Sequence, residues 1–551
     1  MNKDNKNSEI YILDSQNNFL INSKEKLNIN LNRVAFIFII ILVIFVLYTT
    51  RVIFLSSTTL INKNVLTNQL FRADIVDRNG NYISKSVFTK NIGIDPKLVK
   101  DKKKFLIKLK ITFPEKDFTN LETKLNGKKF FYIEKKLSPE KYEKYKFLGE
   151  KSVMVEEKIT RIYPDKNLFF HLSGQIDDDN NGVSGIEKSF DKKLKKSKDK
   201  LTLTLDKQLQ FIIKNELFNS QKIFQTEGSA AILMNINNGE VLSLASLPDY
   251  DLNKRRDLSN KIYINRATKG VYELGSVFKT FTIAAALNNE LIKSNQIFNN
   301  LEKKMKCGGR IISEYDKTLS QNLSVEEILV KSGNIGSVKI GQILGAERYN
   351  IFLKKIGVLD KIKFDIEEVG TPIPFQWGDC KLKTVSYGHG ITTTPLQLAK
   401  AYAILANGGY DINPTIVKKE TYRKGKRLLN KNVSQQINTM LRKVVTEGTA
   451  SLADVKGYDI GGKTGTAQLV ENGKYTDKKI NTFASIFPIS NPKYVLIILL
   501  EDTKLSKDYV YYYRNKPGSF KGTPFNTAGW TSVEIAGKII DKIGPILATK
   551  Y

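Results

Sequence analysis

A chain of 551 residues is too long for one compact domain, and 41% hydrophobic with 10% aromatic residues supplies apolar surface for more than one core. The formal net charge of +31 invites a nucleic-acid partner, but basic clusters such as KKLKKSKDK, Lys192 to Lys200, lack the interleaved aromatics on which bases stack. Cys307 and Cys380 form no metal-binding spacing, and whether they pair is left open.

Residues 1–33 are polar and rich in Asn and Lys, which predicts a disordered tail. Val34 to Leu55 follows, opening with VAFIFIIILVIFVLY, and is long enough to cross a bilayer, with Arg51 placed to snorkel near its far end. No A-x-A site follows it, so an uncleaved anchor is expected rather than a signal peptide. Lys3, Lys6, Lys24, Lys26 and Arg33 precede the span and place the N-terminus in the cytoplasm, with nearly everything else beyond the membrane.

FRADIVDRNG, Phe71 to Gly80, alternates like a strand entering an Asn-Gly turn, and YISKSV is its return. Up to about residue 200 lysine-rich helical stretches such as Pro139 to Leu148 alternate with short strands, and Gly174 to Phe190 reads as a polar loop entering a helix. LTLTLD, Leu201 to Asp206, alternates like a strand, and a helix is predicted over Lys207 to Ser220. Composition shifts near residue 226. Gly228 to Ser246 reads as two apolar strands joined by the turn at 237–239, then Ala-rich helices dominate to about 455. Strands return in GYDIGGKTG, TFASIFPI and KYVLIILLE, and a helix is predicted from Ala528 to Ile543. Strands at both ends of a domain with helices between them imply an antiparallel sheet flanked by helices, an α+β class.

Three short motifs carry chemistry. Ser-x-x-Lys, Ser-x-Asn and Lys-Thr-Gly each recur by chance in so lysine-rich a chain. Context singles out Ser276/Lys279 before an apolar Ala-rich run, Ser332-Gly333-Asn334 after a helical stretch, and Lys463-Thr464-Gly465-Thr466 at an expected strand edge. At i, i+3 the first pair shares one helix face, and a helix N-terminus favours developing negative charge on the serine oxygen. The glycines before and within the third motif are read as letting a substrate backbone approach. In this order, within one compositional domain, the three form a strong joint signal.

These residues resemble those of the class B penicillin-binding proteins, membrane-anchored peptidoglycan D,D-transpeptidases. RADIVDRNG and RIYPDKNLFFHLSGQIDDDNNGVSGIEKSF resemble the family's non-catalytic pedestal, while ASLPDYDLN, YELGSVFKTFT, SGN, YGHGITTTPLQLA and GGKTGTAQ resemble its transpeptidase domain. TAGWTSVEIAGKIIDKIGPIL is more similar to the division-septum branch than to the elongation branch. Leu274 stands where the family usually has proline. The resemblance implies a multidomain α+β chain: a tail at 1–33, a transmembrane anchor at 34–55, an elongated mixed α/β pedestal at 56–200 and a transpeptidase domain at 226–545, in which an antiparallel sheet is flanked by helices.

It also implies roles. Ser276 would attack a D-Ala-D-Ala stem peptide and form an acyl-enzyme, with Lys279 replacing histidine as base. An ordinary lysine holds its proton near neutrality, so burial and the neighbouring cation Lys463 are expected to lower its pKa. Ser332 would relay the proton to the leaving amine and Asn334 would position the substrate amide. Lys463 and Thr466, within the strand Lys463-Thr464-Gly465-Thr466, would hold the terminal carboxylate, and the backbone N–H groups of Ser276 and Thr466 would form the oxyanion hole. No cofactor or metal is implied. The expected partners are stem peptides, β-lactams, a membrane-embedded glycan polymerase and other division proteins. His389 in YGHGI and His171 are expected to be structural. A β-lactamase would need neither anchor nor pedestal, a β-lactam sensor should carry a cytoplasmic signalling module for which 33 polar residues leave no room, and a division scaffold would tolerate loss of Ser276.

Overall fold

The computed structural model describes residues 31–114, 118–254, 263–471 and 473–551; the tail expected at 1–33 falls almost wholly outside the described residues. Two compact units divide after Gln69. The first carries the helix Leu31–Leu70, in which Asn32–Ser56 has a mean hydropathy of 2.7, long and apolar enough to cross a membrane by length and composition. Its apolar side chains from Val34 to Leu55 are exposed, as those of a lipid-facing helix would be.

The second unit opens with the pedestal. Strands Ile75–Val76 and Tyr82–Ile94 pair antiparallel around the Asp77–Asn81 turn, so the expected hairpin forms, with a shorter first arm. Strand Tyr82–Ile94 also pairs with Phe131–Leu137 and Val153–Ile162. The motifs that resemble family signatures meet in one buried ion cluster: Arg72 of RADIVDRNG and Arg161 of RIYPDK both reach Glu187 of SGIEKSF, at 2.9 and 2.7 Å. Arg72 also reaches Asp191 at 2.6 Å. Of LTLTLD only Leu201–Thr202 forms a strand, parallel to Ile75–Val76; Leu203 still donates to Val76 O at 2.9 Å and bridges Val417 on its other side. The helix that follows runs Lys207–Phe224, capped by Asp206, whose side chain accepts from the N–H groups of Gln208 and Leu209.

The remainder of this unit is built on one antiparallel sheet. Its strands are β1 (Gly228–Asn235), β2 (Val241–Leu247), β3 (Gly461–Glu471), β4 (Lys474–Phe487) and β5 (Tyr494–Glu501), in the spatial order β3-β4-β5-β1-β2. Val495 to Leu500 in β5 is continuously apolar and fully buried. An antiparallel strand with one wet face would alternate; this one does not, because helices Ser532–Lys550 and Pro395–Ala406 both pack on it. The last helix thus begins four residues after the expected Ala528 and runs on to Lys550. β3 lies at the sheet edge, where the turn Gly275–Phe278 packs beside it.

Candidate active site

The turn Gly275–Phe278 is a 3-10 helix that runs directly into the helix Lys279–Asn288. Ser276 therefore sits one turn earlier than the expected first α-turn. With three residues per 3-10 turn, Ser276 and Lys279 still share a face. The apolar run after Lys279 explains the position of the amine: Lys279 to Leu287 are all buried, so the helix drives the lysine into the core while Ser276 stays half-exposed. Leu274 fills a fully buried position beside the turn.

The second motif enters between helices. Helix Val325–Val330 carries a capping box, with Ser324 and Glu327 exchanging hydrogen bonds, and Asn334 opens helix Asn334–Leu344. Between them Ser332 adopts φ 59°, a left-handed conformation that is uncommon for a residue with a Cβ. This turn points Ser332 and Asn334 at Lys279: the amine donates to Ser332 O at 2.5 Å, Ser332 Oγ at 3.1 Å and Asn334 Oδ1 at 2.7 Å.

The third motif completes the group. Lys463, fully buried on β3, donates to the same Ser332 Oγ at 3.0 Å and to Thr464 O at 3.1 Å. A Cβ at Gly465 would lie 2.1 Å from Leu274 O, so this glycine admits the protein's own catalytic turn rather than a substrate backbone. Gly275 lies against the Thr466 backbone, its Cβ position 3.1 Å from Thr466 N, which brings the amides around Ser276 and Thr466 together. The Thr464 hydroxyl pairs with Thr449 at 2.7 Å. Thr466 Oγ1 is engaged within the protein, donating to Asn481 Oδ1 and accepting from Ala528 N, both at 3.0 Å.

Two buried amines thus meet on one neutral hydroxyl. Burial lowers Lys279 to about 7, against an opposing pull from Glu314. Burial, and then the charge of Lys279, holds Lys463 well below its usual value. Burial is the principal cause at Lys279, as expected, whereas the repulsion between the two amines weighs on Lys463. All three Lys279 contacts go to the Ser332–Asn334 turn, and Ser276 Oγ makes no hydrogen bond among the described residues.

Glu314 is the residue that sequence reasoning missed. Its carboxylate oxygens accept from the backbone N–H of Asn334 at 2.6 Å and of Ile335 at 2.7 Å. No motif flags it, because it reaches the site from a hairpin, Lys304–Cys307 with Arg310–Ser313, some distance along the chain. Cys307 and Cys380 form a disulfide with Cα atoms 5.0 Å apart, which settles the pairing left open above. His389 lies with Nδ1 3.8 Å from Glu273 Oε2, and Tyr475 donates to the same carboxylate at 3.2 Å. The glycines around His389 have the expected tight role: a Cβ at Gly388 would lie 1.9 Å from Gly275 O. His171 is half-buried, with Nε2 3.0 Å from Pro248 O. A cavity of about 890 Å³ opens elsewhere, beside Asp165, Phe211 and Asp249, and holds none of these groups.

Comparison with known proteins agrees with the geometry. Residues 229–517 match the penicillin binding protein transpeptidase domain, and residues 69–222 match the penicillin-binding protein dimerisation domain. The chain is 29% identical over 497 residues to a probable peptidoglycan D,D-transpeptidase FtsI of Caulobacter vibrioides, covering 87% of this chain and 82% of that one. It is 27% identical over 475 residues to peptidoglycan D,D-transpeptidase FtsI of Escherichia coli K12, covering 80% of each. The crystal structure of a peptidoglycan synthetase from Bifidobacterium adolescentis shares the fold, with a TM-score of 0.65 at 20% identity over 87% of this chain and 96% of that one. With the transpeptidase model spanning more than half its length behind a dimerisation domain, the chain belongs to the penicillin-binding protein transpeptidase family, in its class B form.

Proposed function

We propose that the protein is the D,D-transpeptidase that cross-links stem peptides at the division septum through an acyl-enzyme on Ser276. The observation that carries this reading is the pair of buried amines, Lys279 and Lys463, both within 3.1 Å of Ser332 Oγ beside a half-exposed serine. Neutral Lys279 takes the proton of Ser276 Oγ as the oxygen attacks the carbonyl of D-Ala-D-Ala. The backbone N–H groups of Ser276 and Thr466 stabilise the oxyanion, donors worth about 3 kcal/mol each in comparable sites. Ser332 accepts from both amines, so its own O–H can pass a proton to the departing D-alanine while its Oγ takes up the proton that Lys279 removed from Ser276. A neighbouring stem-peptide amine then takes the acyl group.

Lys463, Thr464, Gly465 and Thr466 form the binding edge for the terminal carboxylate. The Thr466 hydroxyl must exchange one internal partner to join it, and Asn334, whose Nδ2 already donates to Ser313 O at 2.8 Å, must do the same to hold substrate. On this reading the pedestal spans 56–200 and the transpeptidase domain 226–545. The N-terminal helix anchors the chain once in the inner membrane, tail in the cytoplasm and catalytic domain outside, alongside a membrane-embedded glycan polymerase and other division proteins.

The test is labelling of the full chain with a fluorescent penicillin, followed by mass mapping of the modified residue. Durable label on Ser276 is expected; label on Ser332, or release within seconds, contradicts the reading. Depletion in cells is expected to give filaments, whereas round, swollen cells would point to the elongation branch.

A further inference from the structure

The Ser332–Asn334 turn is an unstable conformation on its own account. Ser332 is left-handed, at φ 59°, and strain of this kind persists only where the surroundings over-determine it. Two things hold it: the N–H groups of Ser332 and Gly333 close the end of helix Val325–Val330 on Leu329 O and Ile328 O, and on the other side stands one hairpin. Glu314, next after its second strand, accepts from the N–H groups of Asn334 and Ile335 with one oxygen each. Ser313 O accepts from Asn334 Nδ2 at 2.8 Å, which turns Asn334 Oδ1 toward Lys279 Nζ at 2.7 Å. The other end of the hairpin is fastened by the Cys307–Cys380 disulfide to helix Asp379–Val385, which leads to the loop where Gly388 abuts Gly275. One element therefore touches the turn that faces the lysine and is tied to the loop that braces the serine.

We propose that Glu314 is a positioning residue for the acyl transfer: its carboxylate clamps the Ser332–Asn334 turn over Lys279 and fixes where both side chains stand. The inference rests on the reading of Ser276 as nucleophile and Lys279 as base. A helix cap with no other task would stabilise the helix Asn334–Leu344 and leave the chemistry alone. Glu314 differs in what lies next to it. The groups facing the Lys279 amine are Lys463 from β3, Ser332 and Asn334 from the turn, and Glu314 from the hairpin, whose negative charge favours the protonated amine. Removing that charge makes Lys279 easier to deprotonate, while removing the clamp displaces the turn.

The experiment measures penicillin acylation of the full chain across pH for wild type, Glu314→Gln and Glu314→Ala, with thermal melts of each. Glu314→Gln keeps shape and loses charge, so the acid limb of its rate profile is expected to move to lower pH. Glu314→Ala is expected to acylate about tenfold to a hundredfold more slowly at the plateau, the scale of loss that misplaced reacting groups bring. Both variants within about twofold of wild type, or rate losses that track thermal unfolding while the acid limb stays put, would overturn the proposal. Wild-type label mapped to Ser276 in the same assay separates the two readings: without it the parent assignment falls, and with it the comparison bears on Glu314 alone.

Discussion

The pedestal and the transpeptidase part each bury a pair of cations, and they treat them in opposite ways. Arg72 and Arg161 share the carboxylate of Glu187, and Arg72 adds Asp191. Lys279 and Lys463 share only the neutral hydroxyl of Ser332; the nearest acting carboxylate, Glu314, is spent on backbone amides. A buried charge that is neutralised holds structure together, and its loss leaves a partner stranded. A buried lysine with no carboxylate paired to its amine is disfavoured in its charged form by desolvation and gives up its proton near neutrality, which makes it able to act as a base. The difference locates chemistry without reference to any ligand.

The sharpest way to break this contrast is to make the catalytic cation permanent. Lys279→Arg keeps charge and nearly the length but has no accessible deprotonated form, so acylation is expected to fall by about 10²–10⁴-fold while thermal melts stay close to wild type. Breaking the neutralised cluster does the reverse. Glu187→Ala strands Arg72 and Arg161 and is expected to cost about 3–5 kcal/mol of stability in denaturant titrations, with acylation per folded molecule little changed.

A permanent cation at the second lysine sharpens the picture further. Lys463→Arg is expected to lower the acylation plateau by about tenfold, the smaller end of such effects, since a carboxylate anchor needs charge rather than deprotonation. A cation that cannot yield also disfavours a proton on Lys279, so the acid limb of this variant shifts to lower pH. The smallest effect separates the histidines. Burial pushes His171 down to about 3, below its unfolded value of 6.5. The unfolded chain therefore binds more protons as pH drops under 6.5, and stability is lost across that window. The loss by pH 5 is about 2 kcal/mol, and His171→Phe is expected to abolish this slope in melts at pH 7.5 and 5.

Much of this was legible in the sequence because it is local. The anchor, the Asp77–Asn81 hairpin turn, the strands β1 and β2 and the three motifs all announce themselves within a dozen residues. The extent of LTLTLD was misread because beyond Thr202 its backbone is shared with Ile416 and Val417, partners more than two hundred positions away. Gly465 was read toward substrate because spacing cannot show that Leu274 O fills the space above it. Glu314 and the disulfide were illegible for the same reason. Their meaning lies in which distant backbone amides and helix they reach, and neither periodicity nor motif spacing carries that information.

The central claim is that Lys279, neutral near physiological pH because it is buried, activates Ser276. The most direct measurement is the second-order rate of Ser276 acylation by penicillin on the wild-type full chain as a function of pH. The account predicts a rate that rises with a midpoint near 7, where Lys279 loses its proton, and levels off by about pH 8.5. A rate that keeps climbing toward the ~10.4 of an ordinary lysine, or one that is flat from about pH 5 to 9, would contradict it.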